Sequence, residues 1–355
     1  IAILSIVIAS MDNTQQLPTT DPALQVAVLY NPPVEQTDPE MFGTEDGIDE
    51  LAEEIAEALR KFGYEATTQP VSEKNLYRLK LKKYDAIFNL CDGDKLYMRV
   101  ARQLEKHRKM FTGSGSKVFA LTVDKVATKK IFDEIGVPTP AWQFFKTGTE
   151  KLRSDLKFPL IVKPYKEDCS VGITTDSIVN DDEHLRARVA WIREKYKQGS
   201  LIEEFIPGRE INCTVIGNGE DCEVFPLSEI GLQKKETPDS FIYDYNTKWT
   251  LADEEQLPAC HCPAPSISAE TAKKIQSDAK KAFIALQMKD YARFDIRYNE
   301  HTGKWYFIEA NANPSIQNTD DEPTSVSAAT RGLEYEAFVR EILESCRQRY
   351  QAKLD

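Results

Sequence analysis

Apolar positions recur along the chain in two rhythms, one suited to strands and one to helices. Residues 25–30 form an apolar run that predicts a buried strand, closed by Asn31-Pro-Pro33. Over 48–62, Ile48, Leu51, Ile55, Ala58 and Leu59 return at helical spacing, and Gly63 ends the helix. Strands are expected at 64–70 and 84–90, a helix at 96–107, and a strand end with a turn at 111–115. Strands alternating with helices imply a parallel sheet in an α/β domain over about 24–115. Ligands of such sheets sit beyond the carboxyl ends of the strands. Asn31, Pro32, Glu45, Cys91, Asp92 and Asp94 are therefore rim candidates, although Asp92 and Asp94 also read as turn residues.

A helix is expected at 118–135, carrying Asp124-Lys125 and stopped by Gly136-Val-Pro138. An apolar strand over 158–164 ends on Lys163, and a polar loop follows at 165–172. Cys169, Ser170 and Gly172 are small enough for that loop to lay backbone N–H groups against phosphates. Next come a helix at 182–196, a strand–turn–strand unit at 201–216 turning at Pro207-Gly208, and strand and loop over 220–249. A helix at 268–288 starts from a Ser268 cap, and another closes the chain at 335–350.

The clearest alternation lies at 291–311. Ala292, Phe294 and Ile296 share one face, Arg293, Asp295 and Arg297 the other, and Gly303 closes a polar turn. Glu309 and Asn311 then fall on one face of the returning strand. If the strands pair, Asp295, Glu309 and Asn311 offer hard oxygen ligands of the kind Mg²⁺ takes, with Arg293 beside them for a developing anion. A solvated sheet face with salt bridges is the alternative.

Composition narrows the partners. The 355 residues suffice for two or three domains, and a net charge of −12 without blocks of like charge argues against nucleic acid or an anionic membrane. Seven scattered cysteines suit reduced thiols in a cytoplasm rather than a disulfide framework. Cys260-His-Cys262 is too closely spaced for a zinc pair. No nucleotide P-loop motif occurs, and Gly113-Ser-Gly115 lacks the third glycine of a dinucleotide site. Residues 1–10 are apolar but short of a membrane span. Residues 1–23 are expected to be a disordered or extraneous leading segment, with residues 1–10 added upstream of a start at Met11.

The ordered set of Lys125, Lys163, the small-residue loop, Glu-Glu-Phe-Ile-Pro-Gly-Arg-Glu210, Tyr-Asp-Tyr-x-x-Lys248, Arg-x-Asp295 and Glu-x-Asn311 resembles the ATP-grasp superfamily, most closely its D-alanine–D-alanine ligase-like branch. The resemblance covers about 24–346. It implies an α/β fold, α+β overall: a parallel α/β substrate-side domain at 24–115, then ATP-grasp subdomains at 116–215 and 216–355 that sandwich ATP. Lys163 and Lys125 would lie at the phosphates, with Glu167, Cys169 and Ser170 in the covering loop. Glu203 would accept from the adenine amino group, the backbone of Glu204 and Ile206 would read the ring edge, and Glu210 would hold the ribose. Lys248 would reach the γ-phosphate. Asp295, Glu309 and Asn311 would hold two Mg²⁺ ions, which Mn²⁺ can replace. Arg293 and the Ser315 N–H would stabilise the tetrahedral intermediate. The implied reaction joins a small-molecule carboxylate, activated as its acyl phosphate, to an amine, with amino acids as the expected substrates; a homodimer is the expected assembly. The loops at 165–172 and 240–250 read as lids. A nucleotide-binding protein without turnover is the competing reading.

The sequence departs from the family in its amino-acid half. Asn31-Pro-Pro-Val-Glu35 replaces a glycine-rich loop with Ser-Ala-Glu, and Cys91-Asp-Gly-Asp94 replaces a His-Gly-x-x-Gly-Glu-Asp-Gly run. Cys169 replaces a lid serine, and Ser315-Ile316 replaces Gly-Met. Thr319-Asp-Asp-Glu322 replaces the serine-containing stretch for the second amino acid. Substrates other than D-alanine are therefore expected. Asp320, Asp321 and Glu322 either meet an amino or guanidino group or form a solvated acidic loop.

Overall fold

The computed structural model describes residues 24–32, 47–92, 96–232, 237 and 258–352. Its first unit is built as the rhythms predict. Strand β1 (Gln25–Tyr30) leads to α1 (Ile48–Lys61), β2 (Glu65–Pro70), β3 (Ala86–Asn89), α2 (Leu96–Lys106) and β4 (Met110–Phe111). The strands make a four-stranded parallel sheet in the order β2-β1-β3-β4. Leu51, Ala52, Ile55, Ala58 and Leu59 bury the inner stripe of α1 against Val26 and Val28, and Gly63 at φ 84° lets the chain turn back into β2.

One expected helix becomes two. Residues 116–135 form α3 (Ser116–Val123) and α4 (Lys125–Ile135), broken at Asp124. Asp124 leaves helical geometry at ψ 89°, and its side chain accepts from Ala127 N at 3.0 Å as an N-cap. The capping preference of aspartate overrides the continuing apolar spacing, and Lys125 becomes the first residue of a helix.

Strands β5 (Trp142–Phe145), β6 (Leu160–Pro164), β7 (Ile178–Val179) and β8 (Ser200–Glu204) form a second sheet ordered β5-β8-β6-β7. Helix α5 (Asp182–Tyr196) packs Leu185, Val189 and Ile192 against Leu160, Val162 and Ile202. The third sheet holds β9 (Arg209–Gly217), β10 (Glu223–Val224), β11 (Ser228–Ile230), β12 (Cys260–His261), β13 (Asp290–Asn299) and β14 (Lys304–Asn311). Helix α6 (Ala269–Ala285), capped by Ser268, covers its apolar face, where Phe294 and Phe307 meet edge-on. Helices α7 (Pro323–Thr330) and α8 (Tyr335–Gln351) follow, and Phe338, Val339, Ile342 and Leu343 of α8 share a core with α1 and β1.

Strands β8 and β9 are neighbours in sequence yet lie in different sheets. Residues 142–204 carry the second sheet, while Phe119 and Phe132 from α3 and α4 join the core of the third. Both connections to the second sheet are tied to the third. Phe307 N donates to Pro138 O at 2.7 Å and Thr139 Oγ1 donates to Phe307 O at 2.8 Å. Arg297 donates to Ile206 O at 3.1 Å and to Gly208 O at 2.9 Å. No helix among the described residues is long and apolar enough to cross a membrane.

Candidate functional site

The polar face of the third sheet organises the site. Strand β13 runs between β9 and β14, so Asp295 has Asn212 on one side and Glu309 on the other, while Arg293 has Thr214 and Asn311. The β13–β14 register slips just after Asp295, a bulge that alternation alone does not reveal. Arg293 Nε donates to Asp295 Oδ1 at 2.8 Å, and Asn311 Nδ2 donates to Asp295 Oδ2 at 3.0 Å. Arg293 Nη1 reaches Glu322 Oε1 at 3.4 Å. Burial alone would lower the Arg293 pKa, but Asp295 and Glu322 outweigh it and keep the guanidinium firmly charged.

The Asp124 cap brings Lys125 into reach of this face. Its backbone N–H donates to Tyr165 O at 3.0 Å, and its ammonium pairs with Glu309. Burial pushes the Glu309 carboxyl up, Lys125 opposes the shift, and Asp168 and Asp295 add to it.

Lys163, at the end of β6, sits 2.8 Å from Glu203 Oε2, and Lys129 contacts the other carboxylate oxygen. All three side chains are buried. Burial would raise the Glu203 carboxyl, but Lys129 and Lys163 outweigh it and hold it down to about 2. Lys129 also donates to Thr139 Oγ1 at 2.6 Å. The sequence reading missed Lys129. Its signal was the four-residue spacing from Lys125, which puts both on one helix face, but adjacent Lys130 is indistinguishable by composition. Glu204 is exposed and its N–H donates to Ala141 O at 2.9 Å, while Ile206 O accepts from Arg297. Glu210 also meets Arg297, at 3.3 Å.

The loop after β6 turns sharply at Cys169 and Ser170, with φ 53° and 62°. Cys169 N donates to Asp168 Oδ1 at 3.0 Å, and Glu167 accepts from Gln198. Gly172, at φ 74°, leaves no room for a Cβ against Pro164 and Tyr196, and Arg188 holds its carbonyl at 2.7 Å.

A cleft of about 280 Å³ brings together Cys169, Ser170, Glu210, Arg293, Asp295, Glu309, Asn311, Ser315 and Glu322, whereas Lys125, Lys163, Glu167, Glu203, Glu204 and Ile206 do not line it. Its far wall comes from the first unit and α3, with Ile48, Leu51, Leu90, Asp92, Tyr97 and Phe119. Asn31 stands behind this wall, accepting from Asp92 N at 2.9 Å, and the buried Cys91 supplies its carbonyl to Asn313 at 3.2 Å. Asp320 and Asp321 are exposed, but Glu322 is buried and caps α7. The acidic run is thus part solvated loop and part cleft wall. Glu45, Asp94 and Lys248 lie outside the described residues.

Among the described residues no three His, Cys, Asp or Glu side chains cluster closely enough to hold a metal by themselves. The donors at Asp295, Glu309 and Asn311 are two carboxylates and an amide, which fits Mg²⁺, a cation that keeps waters and substrate phosphates in its other positions. Cys262 Sγ turns instead to Leu227 O at 3.3 Å.

A family model described as the D-ala D-ala ligase C-terminus matches residues 131–344. A D-alanine–D-alanine ligase of Polaromonas naphthalenivorans is 30% identical over 301 residues, covering 82% of this chain and 86% of that protein. The uncharacterised protein y4sG of Sinorhizobium fredii is 33% identical over 267 residues, covering 74% and 75%. The crystal structure of the Bacillus anthracis D-alanine–D-alanine ligase complexed with ATP superposes with a TM-score of 0.71 at 22% identity, covering 93% of this chain and 100% of that one. That likeness shows the ATP-grasp fold.

Proposed function

The chain belongs to the D-alanine–D-alanine ligase family, and on that premise we propose that it uses ATP to join a small-molecule carboxylate to an amine through an acyl phosphate. The observation that carries this reading is the grouping of Arg293, Asp295, Glu309 and Asn311 on one sheet face, with the Lys125 ammonium against Glu309.

The substrate carboxylate attacks the γ-phosphate and ADP departs; the amine then attacks the acyl carbon and phosphate leaves. Both steps move negative charge between oxygens, so positioned cations serve without a protein nucleophile. Lys125 exchanges Glu309 for a phosphate, and Lys163, at the end of β6, serves the nucleotide phosphates from beside Glu203. The Tyr-Asp-Tyr-x-x-Lys motif assigns Lys248 to the γ-phosphate. Glu203, the backbone of Glu204 and Ile206, and Glu210 hold the nucleoside, while Glu167, Cys169 and Ser170 cover the phosphates. Arg293 and the Ser315 N–H stabilise the oxyanion of the tetrahedral intermediate. Asp295, Glu309 and Asn311 would hold Mg²⁺, which would supply charge neutralisation at the phosphates.

The rewritten walls at Asp92, Ser315 and Glu322 support amino-acid or similar substrates other than D-alanine. The test is ATP-dependent hydroxamate formation with hydroxylamine and Mg²⁺ across a panel of carboxylates, followed by phosphate release with candidate amines. A carboxylate-dependent hydroxamate supports ligase chemistry. Tight ATP binding with no hydroxamate from any acid would favour nucleotide binding without turnover.

A further inference from the structure

Glu322 has no role in the chemistry described so far. It sits where the acidic run turns into α7, is only 9% exposed, and lines the cleft beside Arg293. Its hold on Arg293 is loose. The Nη1–Oε1 contact is 3.4 Å, whereas Arg293 Nε holds Asp295 at 2.8 Å, the length of a good charge-assisted bond. Arg293 is thus committed first to Asp295 and to whatever oxyanion enters, while Glu322, which also accepts from Thr324 N at 3.4 Å and meets the Ser315 side chain, is a desolvated carboxyl on the same cleft wall.

We propose that Glu322 is the catalytic residue that binds the second substrate as its ammonium and takes the proton that frees the nitrogen lone pair. The inference rests on the ligase reading above.

Charge geometry dictates the arrangement. The guanidinium side attracts the acyl phosphate oxygens, and the carboxylate side repels them and attracts a cation. Nitrogen and acyl carbon are then brought together across the Arg293–Glu322 pair. One ammonium proton passes to Glu322. The lone pair forms the C–N bond, the bond from the acyl carbon to the phosphate oxygen breaks, and phosphate departs with that electron pair. The second nitrogen proton goes to the departing phosphate, and Glu322 returns its own to water. Burial pushes the Glu322 carboxyl up against the opposing pull of Arg293 and of the hydrogen bonds from Ser315 and Thr324, which suits a group that must accept a proton. The substrate class is a primary amine that is cationic at neutral pH.

The experiment compares two nucleophiles on the full-length protein and its Glu322→Gln variant. Hydroxylamine is already neutral at neutral pH and needs no base; an amino-acid amine does. The variant should still form the hydroxamate, while amide formation from the amine falls about 10²-fold. Glu322→Asp, which keeps the charge and the cap, should recover part of the loss. Parallel loss of both products, or equal amide formation by both proteins, overturns the assignment. Melting temperatures of both variants identify a loss caused by unfolding; in that case the ratio of amide to hydroxamate is measured on Glu322→Gln at a lower temperature where it is folded, and a ratio equal to the parent's overturns the assignment. Absence of hydroxamate from the unaltered protein with every carboxylate would instead remove the ligase reading itself.

Discussion

Asp295 and Glu309 stand opposite one another on antiparallel strands, each with its own cation: Arg293 on the first, Lys125 on the second. Two facing carboxylates in a partly buried cleft repel, and each cation offsets that repulsion until a ligand replaces it.

Replacing either acid should therefore cost turnover, and replacing Glu309 should cost stability as well. Asp295→Asn and Glu309→Gln should each lower ATP-dependent turnover by about 10²–10³-fold. Glu309→Gln should also lower the melting temperature, because Lys125 then stays buried without its partner. Turnover equal to that of the unaltered protein would remove both acids from the site.

Lys129 tests the buried triad. Lys129→Met leaves Glu203 with Lys163 alone, and the cost should approach about 3 kcal/mol, the lower end for breaking a buried pair. Urea denaturation reads it directly. A change near zero would mean that Lys163 alone compensates Glu203.

The same triad sets an acid limit. Glu203 is depressed in the folded protein from an ordinary 4.5 to about 2. Its contribution to stability is present above pH 4.5 and is lost as pH falls through the interval toward 2. Urea midpoints of the unaltered protein and of Glu203→Gln should converge across that interval. Parallel curves would show that the carboxylate is not held down.

Asp124 should couple helix geometry to nucleotide binding. Asp124→Ala removes the cap at a cost of about 0.5–2 kcal/mol and lets α3 and α4 run together. Lys125 then loses its first-turn position, so the KM for ATP should rise while circular dichroism changes little. An unchanged KM would uncouple the cap from the lysine.

Gly208 tolerates no side chain. A Cβ there would lie 2.0 Å from Tyr298 O, at φ 129°. Gly208→Ala should destabilise by about 1–3 kcal/mol or more, as overpacking against a fixed backbone does. A melting temperature equal to the parent's would mean that the turn can relax.

What could be read from the chain followed locality. The hairpin faces at 291–311 follow from a period of two, and the inner stripe of α1 from a period of 3.6; the spacing marks the apolar faces but not the burial of Asp295 and Arg297 on the polar face of β13. The Asp124 break was hidden because apolar spacing continues through it, and only backbone geometry distinguishes a cap from a helix interior. Strands β8 and β9 read as one strand–turn–strand unit; their separation into two sheets depends on β13, far along the chain. Glu322 looked like part of a solvated acidic run because its burial comes from α7 and from Arg293. Lys129 could not be told from Lys130 until α4 met Glu203.

The paired ties at Pro138–Thr139 and Ile206–Gly208 work like the two pins of a door. The panel they carry, residues 142–204, brings Lys163, the Cys169–Ser170 turn and Glu203 on one frame. A swing of that panel about the line between the two pins would also have to release its contacts with α4, Lys125 N to Tyr165 O and Lys129 to Glu203. Lys163, the Cys169–Ser170 turn and Glu203 would then move together, on a single arc, rather than one after the other.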